Sequence, residues 1–303
     1  MIRSGRRDPL GPSEMFPAGD PAYRVSYPRL ESGLKVRVIE RGPSSAPPIV
    51  LIHGWGCSVY VFRHNMPALA DAGFRAIALD LRGHGLSDKP KEAGGYTIDG
   101  LVKDLREVLD ALGLDRPVLA GHSLGGTLVY HFASSYPGRV LGLGLLSPAG
   151  LTGVPRMRLY RFLTPAFMTP LLGRIRSRLV VKAALRRVYG KRGHFTERDV
   201  EEYSAPSQFA DHGPAIRQLL HSYDWNAADH RHLAIVNLPA IGVWGTLDHM
   251  MPEDGMNIYL RLLPQITLTA VQDAGHVTTE EVPREVNEAL LSLLRRVYFR
   301  VNE

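Results

Sequence analysis

"VLAGHSLGGTLVY", residues 118–130, decides the fold of this chain. A short apolar run ends at Gly121, Ser123 follows, and Leu124, Leu128 and Phe132 then recur at helical spacing. The helical pattern stops at Pro137-Gly138, so the stretch reads as strand, sharp turn and helix. Glycine on both sides of a serine suits such a turn, because Gly121 and Gly125 let the backbone close without side-chain collision and leave the hydroxyl exposed above the strand. Gly126 is expected to let the new helix pack closely on neighbouring strands.

Working outward, apolar runs bounded by turn residues recur at 35–40, 47–54, 74–83, 117–121, 141–148, 239–245 and 266–273. Several are continuously apolar, as expected for parallel strands covered by helices on both faces. Between them, Leu101, Leu105, Val108, Leu109 and Leu112 form one helical stripe ending at Gly113. A second stripe, Val286, Ala289, Leu290, Leu293 and Leu294, starts from Pro283. Alternating strand and helix predicts an α/β fold around a doubly wound, mostly parallel sheet. The alternation breaks between about 150 and 235, where helical patterns occur without strands. The expected organisation is a loose tail over 1–20, a core from 21–150 and 236–303, and a helical insertion over 151–235.

The 303 residues, 45% apolar and 22% charged, suit a globular chain rather than a disordered one. No apolar run approaches the roughly 18 residues of a membrane span, and the first residues carry charge without a following apolar stretch, so a cytoplasmic protein is expected. One cysteine, Cys57, allows neither an internal disulfide nor a cysteine zinc site, and it reads as a packing residue. No cofactor and no metal are expected; "DHRH" at 229–232 lacks a carboxylate partner at helical spacing and reads as a turn or a hinge of the cap.

A serine hydroxyl needs a histidine to take its proton and a carboxylate to orient that histidine. In a sheet of this kind, functional groups gather at the carboxyl ends of strands, where His53, His84, His122 and His276 all lie. His276 follows the last strand and is taken as the base, whereas His84 is read as structural. Asp248 stands just past the strand at 239–245 and completes the chain order Ser123, Asp248, His276. The donors for an oxyanion are expected to be the backbone N–H groups of Trp55, in "HGWG", and of Leu124. Gly54 and His122, flanking these groups, are assigned to substrate binding, and the Trp55 side chain to the pocket wall.

In this order, "HGWG", "DLRGHGLSD", "GHSLGG", "WGTLDHMMP" and "AGHVTTEEVPREVN" resemble the α/β-hydrolase family, in its bacterial esterase-like branch. The resemblance covers about residues 25–297 and implies an eight-stranded, mostly parallel sheet with a helical cap after the sixth strand. It places Ser123, Asp248 and His276 at the family's triad positions and "HGWG" at its oxyanion loop. The chain departs from the family at Thr278, where a proline often stands. Epoxide hydrolases and haloalkane dehalogenases of this fold carry aspartate at the turn, so Ser123 points away from both. The expected activity is cleavage of a carboxylic ester, thioester or lactone in a small acyl substrate. A carbon-carbon hydrolase acting on a vinylogous diketone is the alternative, and a non-catalytic binding relative would have no need of all three triad positions.

The net charge of +6 arises from one segment. Residues 151–195 hold eleven Lys or Arg and no Asp or Glu, leaving the rest of the chain acidic. In "LLGRIRSRLVVKAALRRVYG", Arg174, Arg178, Lys182 and Arg186 fall at i+4 steps, while Leu172, Ile175, Leu179, Val180 and Ala183 form an apolar face. The apolar face is expected to pack on the pocket, with the charges solvated. The alternative is attraction to a lipid surface or an anionic substrate. Nucleic acid is not an expected partner, because the basic segment lacks interleaved aromatics and binding motifs. Oligomeric state is not legible.

Overall fold

A computed structural model describes residues 9–149, 151, 155–172, 178–223, 225, 234–251 and 254–299. Eight strands, β1 (Tyr23–Ser26), β2 (Val38–Arg41), β3 (Pro48–Ile52), β4 (Arg75–Leu79), β5 (Val118–His122), β6 (Gly142–Leu146), β7 (Ala240–Gly245) and β8 (Ile266–Val271), form one sheet. The strand order is β1-β2-β4-β3-β5-β6-β7-β8. β2 runs antiparallel to both neighbours, and every pairing from β4 across to β8 is parallel. From β3 the chain crosses to β4 on one side and later to β5 on the other. That reversal makes the carboxyl ends of β3 and β5 the switch point of the sheet, the place where open α/β sheets bind their ligands.

The helices are α1 (Asn65–Asp71), α2 (Ile98–Ala111), α3 (Leu124–Ser135), α4 (Pro155–Leu163), α5 (Thr169–Leu172), α6 (Arg178–Val188), α7 (Glu197–Ser204), α8 (His212–Ser222), α9 (Asp254–Leu262), α10 (Thr278–Glu281) and α11 (Pro283–Tyr298). Side chains alternate across each strand, so Val50, Ile52 and Leu119 enter one core with Leu105 of α2 and Leu128 of α3. Ile49, Leu51 and Ala120 enter the other with Met66 of α1 and Leu290 of α11. Burial on both faces explains why the strand runs are continuously apolar. Local signals set the helix ends: the Thr97 hydroxyl accepts from the N–H of Gly100 at the start of α2, and Gly113 takes φ +65° just beyond its end.

The structure departs from the sequence reading in the first strands and in the N-terminal segment. β1, "YRVS", has no counterpart among the expected strands; it is a four-residue edge strand that buries Tyr23 alone. The run expected at 35–40 pairs as a strand only from Val38, because Lys35 makes a lone bridge to Arg29. A loose tail does not describe residues 9–20: Met15 is buried, the N–H of Phe16 donates to Glu202, and the carbonyls of Leu10 and Glu14 accept from Gln208 and Arg198.

α4 to α8 lie in sequence between β6 and β7. α6 realises part of the basic helix read from sequence, with Arg174 and Ile175 outside the described residues. Its expected apolar face is not packed inward, since Leu185 is buried while Leu179 is 79% exposed. Nor is its basic row simply solvated: Arg178 and Lys182 both pair with Glu197 at the start of α7. The 229–232 stretch lies outside the described residues.

Candidate active site

β5 ends at His122 and α3 begins at Leu124, so Ser123 alone carries the turn, at φ 53° and ψ −121°. A non-glycine residue held there costs about 1–3 kcal/mol, which the surrounding backbone must offset. The Ser123 N–H donates to the Leu146 carbonyl at 2.9 Å, and its own carbonyl accepts from Gly126 and Ala149. Gly125 sits hard against the carbonyl of Ile52, where a methyl group would collide with backbone. The turn is therefore wedged against the end of β3.

Asp248 follows β7 and His276 follows β8. The side chain of Asp248 is wholly buried; Oδ1 accepts from the N–H groups of Met250 and Met251 at 2.9 and 3.0 Å. Oδ2 lies 2.8 Å from His276 Nδ1, and His276 Nε2 lies 2.9 Å from Ser123 Oγ. With Nδ1–H donating to the carboxylate, Nε2 is left as acceptor for the serine proton. The three residues singled out from sequence thus meet in one hydrogen-bonded line.

The main chain of His276 is fixed from two sides. Its N–H donates to the Val188 carbonyl at 2.7 Å, and its carbonyl lies 2.9 Å from Nε2 of His122, which donates to it. Burial, with a smaller contribution from His276, pushes the His122 imidazole down to about 3, so the ring is neutral at pH 7. His122 therefore holds the main chain of His276 in place, and its Nδ1 faces the turn at Gly54 without a hydrogen-bond partner among the described residues.

The "HGWG" loop leaves β3 directly beside the serine: a methyl group on Gly54 would lie 2.8 Å from Ser123 Cβ. Among the described residues, the N–H groups of Trp55 and Leu124 have no acceptor in the protein. The loop is held from below by two buried histidines. His53 Nε2 accepts from the N–H of Leu81 at 2.9 Å, and His84 Nε2 accepts from the N–H of Gly56 at 3.1 Å. Burial, reinforced by His53, drives the His84 imidazole well below the ordinary histidine range, which preserves the lone pair that Gly56 needs. Above the loop, the Trp55 indole donates to the Ile216 carbonyl of α8 at 3.0 Å and stacks on Tyr160 of α4 at 6.3 Å between centroids. A cleft of about 450 Å³ between α8 and the Lys89–Lys91 loop reaches Ala215, but none of the triad residues lines it.

Sequence reasoning passed over two neighbouring acids on α10. The Glu281 carboxylate accepts from the N–H groups of Gly190, Arg192 and Gly275 at 2.8–3.0 Å, joining the segment after α6 to the residue before His276. Glu280 accepts from Arg63, Tyr189 and Tyr203; burial pushes its carboxyl up, against the opposing pull of Arg63. The available signal was a pair of glutamates between Val277 and Val282, both of which are buried. Among the described residues, no cluster of His, Cys, Asp or Glu converges to hold a metal ion.

A family model described as the alpha/beta hydrolase fold matches residues 47–283. Epoxide hydrolase 1 of Caenorhabditis elegans is 26% identical over 280 residues, covering 87% of this chain and 68% of its own length. The dihydrolipoyllysine-residue acetyltransferase component of the acetoin cleaving system of Pseudomonas putida is 30% identical over 267 residues, covering 87% and 68% respectively. Among solved structures, Cfl2 from Burkholderia cenocepacia superposes with a TM-score of 0.79 at 27% identity, covering 91% of this chain and 98% of that one. With its mostly parallel eight-stranded sheet and a family match over most of its length, the chain belongs to the α/β-hydrolase fold family, as an enzyme of that superfamily.

Proposed function

We propose that the chain hydrolyses a carboxylic ester or a related acyl compound through an acyl-enzyme on Ser123. The observation that carries this reading is the line from Asp248 Oδ2 through His276 to Ser123 Oγ, with both contacts inside hydrogen-bond range. Ser123 Oγ attacks the carbonyl carbon as its proton passes to His276 Nε2, and Asp248 stabilises the imidazolium. The N–H groups of Trp55 and Leu124 take the oxyanion. His276 then protonates the leaving alcohol as the carbon-oxygen bond breaks. Water, deprotonated by His276, attacks the acyl carbon, releasing the acid and returning the proton to Ser123.

The names of several relatives favour a second reading, epoxide hydrolysis. The residue at the turn supports the acyl reading on chemical grounds. A carboxylate opening an epoxide forms an ester, which water can hydrolyse at its carbonyl. Ser123 Oγ opening the same ring would form an alkyl ether with no carbonyl for water to attack, and the enzyme would stop after one turnover. The acetyltransferase relative is named for acyl transfer, which passes through a carbonyl. Carbon-carbon cleavage of a vinylogous diketone also passes through one and uses the same groups.

The test compares wild type with Ser123→Ala on p-nitrophenyl esters of graded length, a coloured vinylogous diketone and a styrene-type epoxide. Ester turnover that falls about ten-thousandfold in the variant, with fluorophosphonate labelling of Ser123, supports the proposal. Diol release from the epoxide that survives in Ser123→Ala, with no ester turnover and no labelling, overturns it. Faster decay of the diketone colour than of any ester assigns the site to carbon-carbon cleavage instead.

A further inference from the structure

We propose that the outward face of α4, continued through Phe167 and Leu171, docks on the surface of an anionic lipid bilayer. Leu159, Phe162 and Leu163 fall at i, i+3 and i+4 and therefore share one side of α4. All three are exposed, as are Phe167 and Leu171, with Phe162 at 80% and Phe167 at 82%. A phenylalanine so exposed gains nothing from the fold, and five such side chains along one short segment form an apolar ridge.

The opposite side of α4 is already occupied. Met157 is buried, Tyr160 stacks on Trp55, and the Arg161 guanidinium donates to the carbonyls of Leu220 at 2.8 Å and of Tyr223. These contacts set the helix rotation, so the ridge cannot turn inward without breaking them.

Charge selects the occupant. The ridge lies within residues 151–195, which carry eleven basic and no acidic residues. Arg158 on α4, and Arg186 and Arg187 on α6, are exposed and make no ion pair among the described residues. A second copy seated on this face would set two such basic stretches against each other. An anionic bilayer instead attracts the cations and takes up protruding aromatic and leucine side chains without needing a complementary shape. No helix among the described residues is long and apolar enough to cross a membrane, so the contact is peripheral. It is independent of the reaction proposed above.

The experiment is flotation of the full chain with vesicles of phosphatidylglycerol and phosphatidylcholine in equal parts, and with phosphatidylcholine alone. Wild type is expected to float with the mixed vesicles, and about tenfold less with the neutral ones or in high salt. Phe162→Ser with Phe167→Ser is expected to lose about tenfold in binding, with thermal melting unchanged because both side chains already lie in water. Arg186→Glu with Arg187→Glu should weaken the salt-sensitive part. Failure of wild type to float with the mixed vesicles overturns the proposal, as does binding that the phenylalanine pair does not affect. A dimer in sedimentation velocity that the phenylalanine pair dissolves, without vesicle binding, would assign the ridge to self-association and also overturn it.

Discussion

The N–H of His276 donates to the carbonyl of Val188 at 2.7 Å, so the histidine of the Ser123–His276–Asp248 line hangs from the last residue of α6. Gly190 and Gly275 make the contact possible: a methyl group on Gly190 would lie 2.6 Å from the nitrogen of Gly275. Glu281 then clamps the two segments by accepting from both glycines and from Arg192. The helices between β6 and β7 and the Ser123–His276–Asp248 line therefore share one joint.

Removing that clamp should cost both stability and turnover. Glu281→Ala strands three N–H groups, one of them fully buried, a loss on the order of 3 kcal/mol. Chemical denaturation should show the loss, and kcat on an aryl ester should fall with KM less affected, because the base shifts rather than the binding surface. Glu281→Gln keeps one accepting oxygen and should fall between the two. Wild-type kcat in Glu281→Ala would separate the joint from catalysis.

Gly54 tests the oxyanion assignment. Its hydrogen occupies the place where a methyl group would stand 2.8 Å from Ser123 Cβ and 3.3 Å from His122 Nδ1. Because Ser123 is fixed by backbone hydrogen bonds, Gly54→Ala should push the loop, and with it the Trp55 N–H, away from the serine. Turnover of an aryl ester should drop about a hundredfold, the loss seen when one oxyanion donor is removed. Stability should fall by about 1–3 kcal/mol from overpacking. A variant with full turnover would exclude the Trp55 N–H as a donor.

The meeting of Ser123, Asp248 and His276 was legible because each follows an apolar run at the carboxyl end of a strand, a position that sequence alone reveals. Ser123 added its glycine fence, and Asp248 and His276 added chain order. β1 was not legible because four residues, mostly facing solvent, carry little hydrophobic signal. The basic row of α6 was visible as periodicity, yet periodicity names a face without naming what it meets: Leu179 points to solvent and Arg178 to Glu197. Glu281 and His84 act through partners 91 and 28 residues away, and no local pattern marks a carboxylate or an imidazole that serves backbone N–H groups.

His122 gives the acid response a definite sign. Burial holds its ring down to about 3 in the folded protein, against an ordinary value of 6.5. Between those values the unfolded chain binds a proton that the folded chain refuses, so this residue's contribution is complete above 6.5 and is lost as pH falls below it. The loss approaches about 1.4 kcal/mol per pH unit, or about 3 kcal/mol near pH 4.5. His53 and His84, also pushed down by burial, act in the same direction, while the raised carboxyl of Glu280 acts in the other. These groups are common to wild type and His122→Gln, so they cancel in the difference between the two stability profiles. Glutamine does not titrate but retains an N–H that can donate to the His276 carbonyl. Urea denaturation at about pH 7 and about pH 4.5 should therefore show a shallower acid loss in His122→Gln, by up to about 3 kcal/mol, even if the variant starts less stable. Parallel profiles would mean that His122 takes up its proton in the folded protein. Its ring would then carry charge beside the imidazole of His276.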